Sequence, residues 1–201
     1  MNDVGQPHGP GQMTYKNGVV YVGKYGSNQQ KMNGPGKMTF SNGVVYEGNF
    51  VNGLRDGPGK ATYTSGNIYV GIWANGKMSG QGQMVYNDGA VYLGNWLNGK
   101  RSGQGKMTVA NDVYEGHWAN DLPNGPGQRT FTNGNVYVGN LANGKMNGQG
   151  QITFSNGSVY EGHWANGLPN GLGKMTHNNG SVLEGNWSNG QLISNRGNVS
   201  T

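Results

Sequence analysis

Short runs of apolar and aromatic residues recur along this chain, separated by Asn-Gly pairs and glycine-rich segments. In residues 37–50, KMTFSNGVVYEGNF, two runs with β-forming residues flank Asn42-Gly43, a strong hairpin signal. The same signal recurs at Asn17-Gly18, Asp88-Gly89, Asn133-Gly134, Asn156-Gly157 and Asn179-Gly180. No stretch shows the apolar spacing of an amphipathic helix. The pattern predicts an all-β chain of tandem hairpins, with a loop over residues 52–59, NGLRDGPG.

A phrase that begins with Y-x-G repeats along nearly the whole chain. Its anchors are separated by 25, 23, 23, 22, 23, 23 and 23 residues and lie at Tyr21, Tyr46, Tyr69, Tyr92, Tyr114, Tyr137, Tyr160 and Leu183. Each such unit can bury its aromatic side chains only against its neighbours. We therefore predict an elongated single-layer antiparallel sheet of tandem hairpins of 23 residues over residues 8–190, between an N-terminal tail (1–7) and a C-terminal tail (191–201).

Equivalent positions of stacked hairpins form columns, so we expect like rings to stack on like rings. Gly48 and its equivalents leave a gap for rings, and the pair Gly57 and Gly59 is expected to turn the chain into the next hairpin. One interpretation is that these ring columns are the hydrophobic core. The other is that some of the rings form a groove for protein partners or a dimer contact, because a single-layer sheet cannot bury both of its faces. Their residues are Tyr46, Phe50, Tyr69, Trp73, Tyr92, Trp96, Tyr114, Trp118, Tyr137, Tyr160, Trp164 and Trp187.

Two hairpin registers are compatible with the pattern. A two-residue turn at Asn42-Gly43 places Tyr46 and Phe50 on the face opposite Met38, whereas a three-residue loop with a glycine bulge gathers all three on one face. Near Asn111 the chain lacks one residue, which could shorten a three-residue loop to two without slipping the pairing. The second register is therefore favoured.

The composition excludes several classes of protein. Of 201 residues 40 are glycine, only 33% are hydrophobic and 11% are charged, so a conventional globular core is not expected. The absence of cysteine excludes disulfides and thiolate metal sites. The segment MNDVGQPHGPGQ lacks the apolar stretch of a signal peptide, which leads us to expect a cytoplasmic protein.

The repeated phrase resembles the MORN repeat (membrane occupation and recognition nexus), whose pattern is roughly Y-x-G-x-W-x-x-G-x-x-x-G-x-G. Residues 69–82, YVGIWANGKMSGQG, match every named position, and the resemblance covers about residues 8–190. Departures are Tyr25 and Leu141 in the tryptophan position, Leu183 for tyrosine, Asp121 for a loop glycine, and the missing glycine near Asn111. The resemblance implies a non-enzymatic, single-sheet β-solenoid that acts as a scaffold, often self-associating, near membranes or in cytoskeletal or ciliary assemblies.

Candidate chemistry is sparse. Glu115 and His117 share a strand face, and Glu161 and His163 repeat the arrangement about 19 Å away, too far for a shared metal site. We predict no catalytic residues, no metal and no cofactor. The net charge of +5 and the absence of a recognised binding fold also disfavour nucleic acid.

The basic residues offer a second surface. Two sets of lysines occupy equivalent positions, and stacking would align each set along the sheet as a track for acidic phospholipids. The other interpretation is that they keep the sheet soluble and protect its edges. The candidate lipid contacts are Lys31, Lys37, Lys60, Lys77, Lys100, Arg101, Lys106, Lys145 and Lys174. The sequence thus predicts a scaffold that binds protein partners through an aromatic groove and by homodimerisation, with a peripheral phospholipid-binding module or an architectural cytoskeletal component as alternatives.

Overall fold

Every regular element in the computed structural model, which describes residues 9–26 and 31–195, is a β-strand. The chain divides into two compact units, residues 1–100 and 101–201. The first contains β1 (Gly9–Thr14), β2 (Val20–Tyr25), β3 (Met32–Thr39), β4 (Val45–Val51), β5 (Leu54–Thr62), β6 (Ile68–Ala74), β7 (Lys77–Val85) and β8 (Val91–Leu97). The second contains β9 (Lys100–Val109), β10 (Asp112–Ala119), β11 (Leu122–Thr130), β12 (Val136–Ala142), β13 (Lys145–Thr153), β14 (Val159–Ala165), β15 (Leu168–Thr176), β16 (Val182–Ser188) and β17 (Gln191–Asn195). Lys100, the first residue of β9, is the last residue of the first unit. Within the described ranges there is no helix that could span a membrane.

Each unit is an antiparallel meander in which strands adjacent in sequence pair with each other. The pairs run from β1–β2 to β7–β8 in the first unit and from β9–β10 to β16–β17 in the second. The all-β fold of tandem hairpins is confirmed. Strand β17 pairs with β16 through Trp187 and Leu192, so the sheet continues past the predicted boundary at 190. The predicted tail 1–7, and residues 196–201 of the other tail, lie outside the described residues.

The first kind of hairpin joins β3 to β4 and its equivalents through a three-residue loop. Met38 pairs with Tyr46, the Phe40 amide donates to the Val44 carbonyl (2.8 Å), and the Gly43 amide donates to the Phe40 carbonyl (2.9 Å). Gly43 adopts φ 82°, the left-handed conformation that a glycine bulge requires. The favoured register is confirmed, since Met38 and Tyr46 lie on one face.

The one-residue deletion near Asn111 leaves the pairing intact. Val109 pairs with Asp112 across the two-residue loop Ala110-Asn111, and Met107 still pairs with Tyr114, as the sequence predicted. Ala110 takes φ 51°, an unfavourable value for a residue with a Cβ.

The second kind of hairpin joins β4 to β5 through Asn52 (φ 51°) and Gly53 (φ 86°), and Val51 pairs with Leu54. Two consecutive positive φ values are the mark of a type I′ turn. The prediction of a loop over residues 52–59 is wrong from Leu54 onward, because Leu54–Thr62 form β5. Glycine and proline are typical of loops, but here they lie within a strand. Between the pairs Gly48–Gly59 and Phe50–Arg55, β5 contains more residues than β4, and the additional residues form a bulge.

The core lies on one face of each meander, where tyrosines of the Y-x-G phrases cover pairs of strand glycines, as Tyr21, Tyr46, Tyr69, Tyr114, Tyr137 and Tyr160 do. Tyr46 is fully buried, and a Cβ at Gly59 would lie 2.5 Å from its Cε2 and 2.6 Å from its Cζ. Gly59 pairs with Gly48 within the sheet and does not turn the chain, so that prediction is wrong. Both glycines are required because a flat ring occupies the space that side chains would fill.

Candidate functional site

The buried rings alternate between tyrosine and the tryptophan position. Tyr46 contacts Phe50 of its own strand edge to face, with centroids 5.1 Å apart, and Trp73 of the next hairpin at 5.2 Å. Tyr69 repeats these contacts with Trp73 and Trp96 at 5.2 and 5.4 Å. The expectation that like rings stack on like rings is therefore wrong. In an edge-to-face contact the positive edge of one ring packs against the negative face of the other, and Tyr46 and Tyr69 each lie over glycines between two rings of the other column.

Both ring types satisfy their polar atoms inside the chain. The Tyr46 hydroxyl donates to the Asn49 carbonyl (3.0 Å), and the Trp164 indole N–H donates to the Gly150 carbonyl (3.0 Å). Equivalent indole bonds to glycine carbonyls are made by Trp73, Trp96, Trp118 and Trp187. Burial raises the pKa of Tyr46 to about 12.

All twelve column residues predicted to contact partners are buried, with exposures from 0% for Tyr46 to 7% for Trp187. They form the hydrophobic core of each unit. A partner that binds the ring-bearing face therefore contacts the side chains beside the rings before it contacts the rings.

In each unit, two rows of half-buried side chains flank the core rings on the face that carries the rings, here called the aromatic face. The tip row lies where each three-residue loop begins and comprises Tyr15, Phe40, Tyr63, Tyr86, Phe131 and Phe154. The methionine row lies across the bulged hairpin from the tryptophan position and comprises Met32, Arg55, Met78, Pro123, Met146 and Pro169. Sequence reasoning missed the tip row as a feature, although its regular spacing directly after Thr14, Thr39, Thr62, Thr130 and Thr153 could have revealed it.

Arginines lie on the aromatic face at positions that are apolar in other hairpins. The Arg55 guanidinium lies 4.0 Å from the Trp73 ring centroid and donates to the Gly76 carbonyl (2.6 Å). Burial lowers the pKa of Arg55. Sequence reasoning did not identify this residue, and a charged residue in an otherwise apolar repeat position was the available signal.

Arg101, a predicted lipid contact, also lies on the aromatic face. Its guanidinium is 4.6 Å from the Trp118 ring and donates to the Asp121 carbonyl (2.8 Å). It therefore does not share a surface with the predicted lysines.

The face opposite the rings, here called the outer face, carries the first predicted set of lysines. Lys37 forms an ion pair with Glu47 (2.8 Å), and Lys106 forms one with Glu115 (3.4 Å). Lys174 pairs in register with Glu161 and Glu184, and Lys60 with Glu47. Glutamates thus accompany every lysine of this set.

The second predicted set does not form an unbroken line. Lys77, Lys100 and Lys145 each begin a strand, and Lys31 directly precedes one. Leucines occupy the same position in the intervening hairpins, at Leu54, Leu122 and Leu168, and are 45–48% exposed. The outer face therefore mixes basic, acidic and aliphatic side chains.

The two Glu-His pairs are also on the outer face. The ring of His163 lies within hydrogen-bonding distance of the Gln149 side-chain amide, at 3.0 Å from Nε2. Among the described residues no group of three or more histidine, aspartate or glutamate side chains could hold a metal ion.

The fold and its core define a class: a repeat protein built from tandem antiparallel hairpins that cover glycine pairs with rings. The MORN repeat family model matches residues 5–20, 31–45, 46–68, 69–91, 92–112, 114–136, 137–159 and 160–182. The chain belongs to the MORN repeat family. No curated protein matches the sequence.

One solved structure shares the fold at low sequence identity. The TCP10 domain of Danio rerio CPAP in complex with a peptide of Danio rerio STIL is 16% identical, with 90% of this chain and 80% of that chain covered and a TM-score of 0.52. The same wild-type domain solved without the peptide is 13% identical, with 88% and 83% covered and a TM-score of 0.49.

Proposed function

We propose that this chain is a non-enzymatic scaffold that binds a protein partner along its aromatic face, through the tip row and the methionine row. The observation that carries the proposal is that half-buried aromatic and methionine side chains flank the ring core in both units. No second layer covers these rows in the described residues. Apolar surface of this kind marks interaction sites, and aromatic and methionine side chains are enriched in them.

The fold likeness supports a protein partner. The CPAP domain that shares this fold was solved with a peptide of STIL. A peptide laid along a single sheet requires no enclosed pocket, which suits a chain whose large rings are already buried.

Charge substitutions on the two faces test the proposal. Met78→Lys and Met146→Lys alter the methionine row, whereas Val70→Lys and Val138→Lys, at positions 50% and 52% exposed on the outer face, are matched controls. Peptides selected from a display library against the unmodified chain are titrated against all four variants by calorimetry. We expect the methionine-row variants to lose at least tenfold in affinity while the controls retain it. Equal loss on both faces, or loss only in the controls, contradicts the assignment.

The lysines give no observation that favours a phospholipid surface over a protein partner. Co-sedimentation with phosphatidylcholine vesicles, with and without phosphatidylinositol bisphosphate, tests this alternative on the wild type and on Lys77→Glu plus Lys100→Glu. Phosphoinositide-dependent binding that this double variant abolishes would favour the lipid function. Light scattering at high micromolar concentration tests self-association, and a strictly monomeric species would remove the predicted homodimer.

A further inference from the structure

The aromatic face of the second unit contains a cavity of about 260 Å³. Its floor and walls include the Tyr114 and Trp118 rings, Met107, Pro123 and Leu141. Asp112 and Arg129 close one side as an ion pair, with Arg129 Nη2 3.0 Å from Asp112 Oδ2. Sites for drug-sized ligands are about 300–1,000 Å³, so this cavity has the size for one large side chain.

Departures from the repeat meet at this cavity. Val109 stands where other hairpins carry a tip-row aromatic, and Leu141 stands in the tryptophan position. Asp112 and Arg129 stand where other hairpins carry Val44 and Met38. One of these changes would be ordinary variation, but together they remove two rings and add a polar rim at a single place.

The missing ring leaves an identifiable vacancy. Tyr137 and Tyr160 each contact the tryptophan of the following hairpin, at 5.4 and 5.2 Å, whereas the equivalent residue for Tyr114 is Leu141. Tyr114 is 4% exposed, compared with 0% for Tyr137 and Tyr160.

We propose that this cavity binds the indole side chain of a tryptophan supplied by an extended segment of a partner protein. The indole packs against the Tyr114 and Trp118 rings that line the cavity. The five tryptophans of this chain are all buried in its own core, so none of them is the ligand.

The identity of the ligand's source rests on the proposed function, but the site can be tested without a partner. The probe is 3-methylindole, the side chain of tryptophan, titrated into the full ¹⁵N-labelled chain and followed by amide chemical shifts. We expect saturable shifts confined to the cavity, including the Tyr114 and Leu141 amides.

Two variants fill the site. Leu141→Trp supplies the chain's own indole and should abolish 3-methylindole binding. Val109→Tyr, at a position 45% exposed, restores a tip-row ring and blocks the other side with less risk to folding. No saturable shift up to the solubility limit of 3-methylindole, or equal binding in both filled variants, overturns the proposal.

The outcomes separate this site from the proposed function. If selected peptides bind the wild type but none competes with 3-methylindole, the scaffold function stands and the partner tryptophan is wrong. If 3-methylindole binds at the cavity and no peptide binds the chain, the site stands and the scaffold function fails.

Discussion

Substitution of a single strand glycine tests how the core is built. In Gly59→Ala the new methyl group would lie 2.5 Å from Cε2 and 2.6 Å from Cζ of Tyr46, well inside van der Waals contact. The ring cannot move without disturbing its edge-to-face contacts with Phe50 and Trp73.

The expected cost follows from these contacts. Overpacking a filled core costs about 1–3 kcal/mol. Displacement of the Tyr46 ring weakens two aromatic contacts of about 0.5–1.5 kcal/mol each and the hydroxyl bond to Asn49, also about 0.5–1.5 kcal/mol. Alanine regains about 0.5–1 kcal/mol over glycine in a strand. Because the ring is displaced and these contacts are weakened but not lost, we expect a net loss of about 2–3 kcal/mol in the free energy of unfolding.

Gly11 provides a matched control, because it occupies the same repeat position in the N-terminal half-unit, where no Y-x-G tyrosine precedes it. A Cβ at Gly11 would lie 3.7 Å from the nearest atom of Tyr25, an ordinary contact. Urea denaturation followed by circular dichroism measures both variants, and amide hydrogen exchange in β4 to β6 locates the effect. If Gly59→Ala is as stable as Gly11→Ala, the requirement for glycine beneath the ring is refuted.

Three further outcomes are expected. Ala110→Gly should raise the free energy of unfolding by about 1 kcal/mol in urea denaturation, because it relieves φ 51° at a residue with a Cβ; no gain would contradict this. Trp164→Phe should cost about 1–3 kcal/mol in the same assay, because a smaller aromatic ring replaces the indole and the Gly150 carbonyl loses its donor. A cost near that of removing the ring altogether would point to a different role. Burial raises the pKa of Tyr46 and Tyr137 to about 12, above the value of about 10 in an unfolded chain. Ionisation therefore favours the unfolded chain, and stability that is complete below pH 10 should fall towards pH 12. Ionisation of all 11 tyrosines at pH 10 with unchanged circular dichroism would refute this.

The sequence predicted the secondary structure and the register of the three-residue hairpins well. The deletion near Asn111 was informative. A loop that is one residue shorter keeps Met107 paired with Tyr114 only if the loops of the neighbouring hairpins contain three residues. Composition failed at Leu54–Gly59, because glycine and proline are typical of loops and also of bulged strands.

The candidate site was less predictable. The rings that the sequence offered as partner contacts lie in the core of each unit. Their burial depends on contacts between hairpins and removes them from the accessible surface. The position of Arg101 differs from that of the lysines because adjacent strand residues point to opposite faces, and neighbours in sequence can therefore belong to different surfaces.

By itself the sequence determined that this protein is a row of hairpins, since the Y-x-G spacing and the scarcity of apolar residues allow burial only between neighbouring repeats. It could not distinguish the two uses of Asn-Gly, because a glycine bulge and a type I′ turn favour the same residues. Only the tertiary structure decided which aromatic rings contact each other. That choice depends on the offset between strands, which sets Tyr46 between Phe50 and Trp73 and leaves Tyr114 beside Leu141.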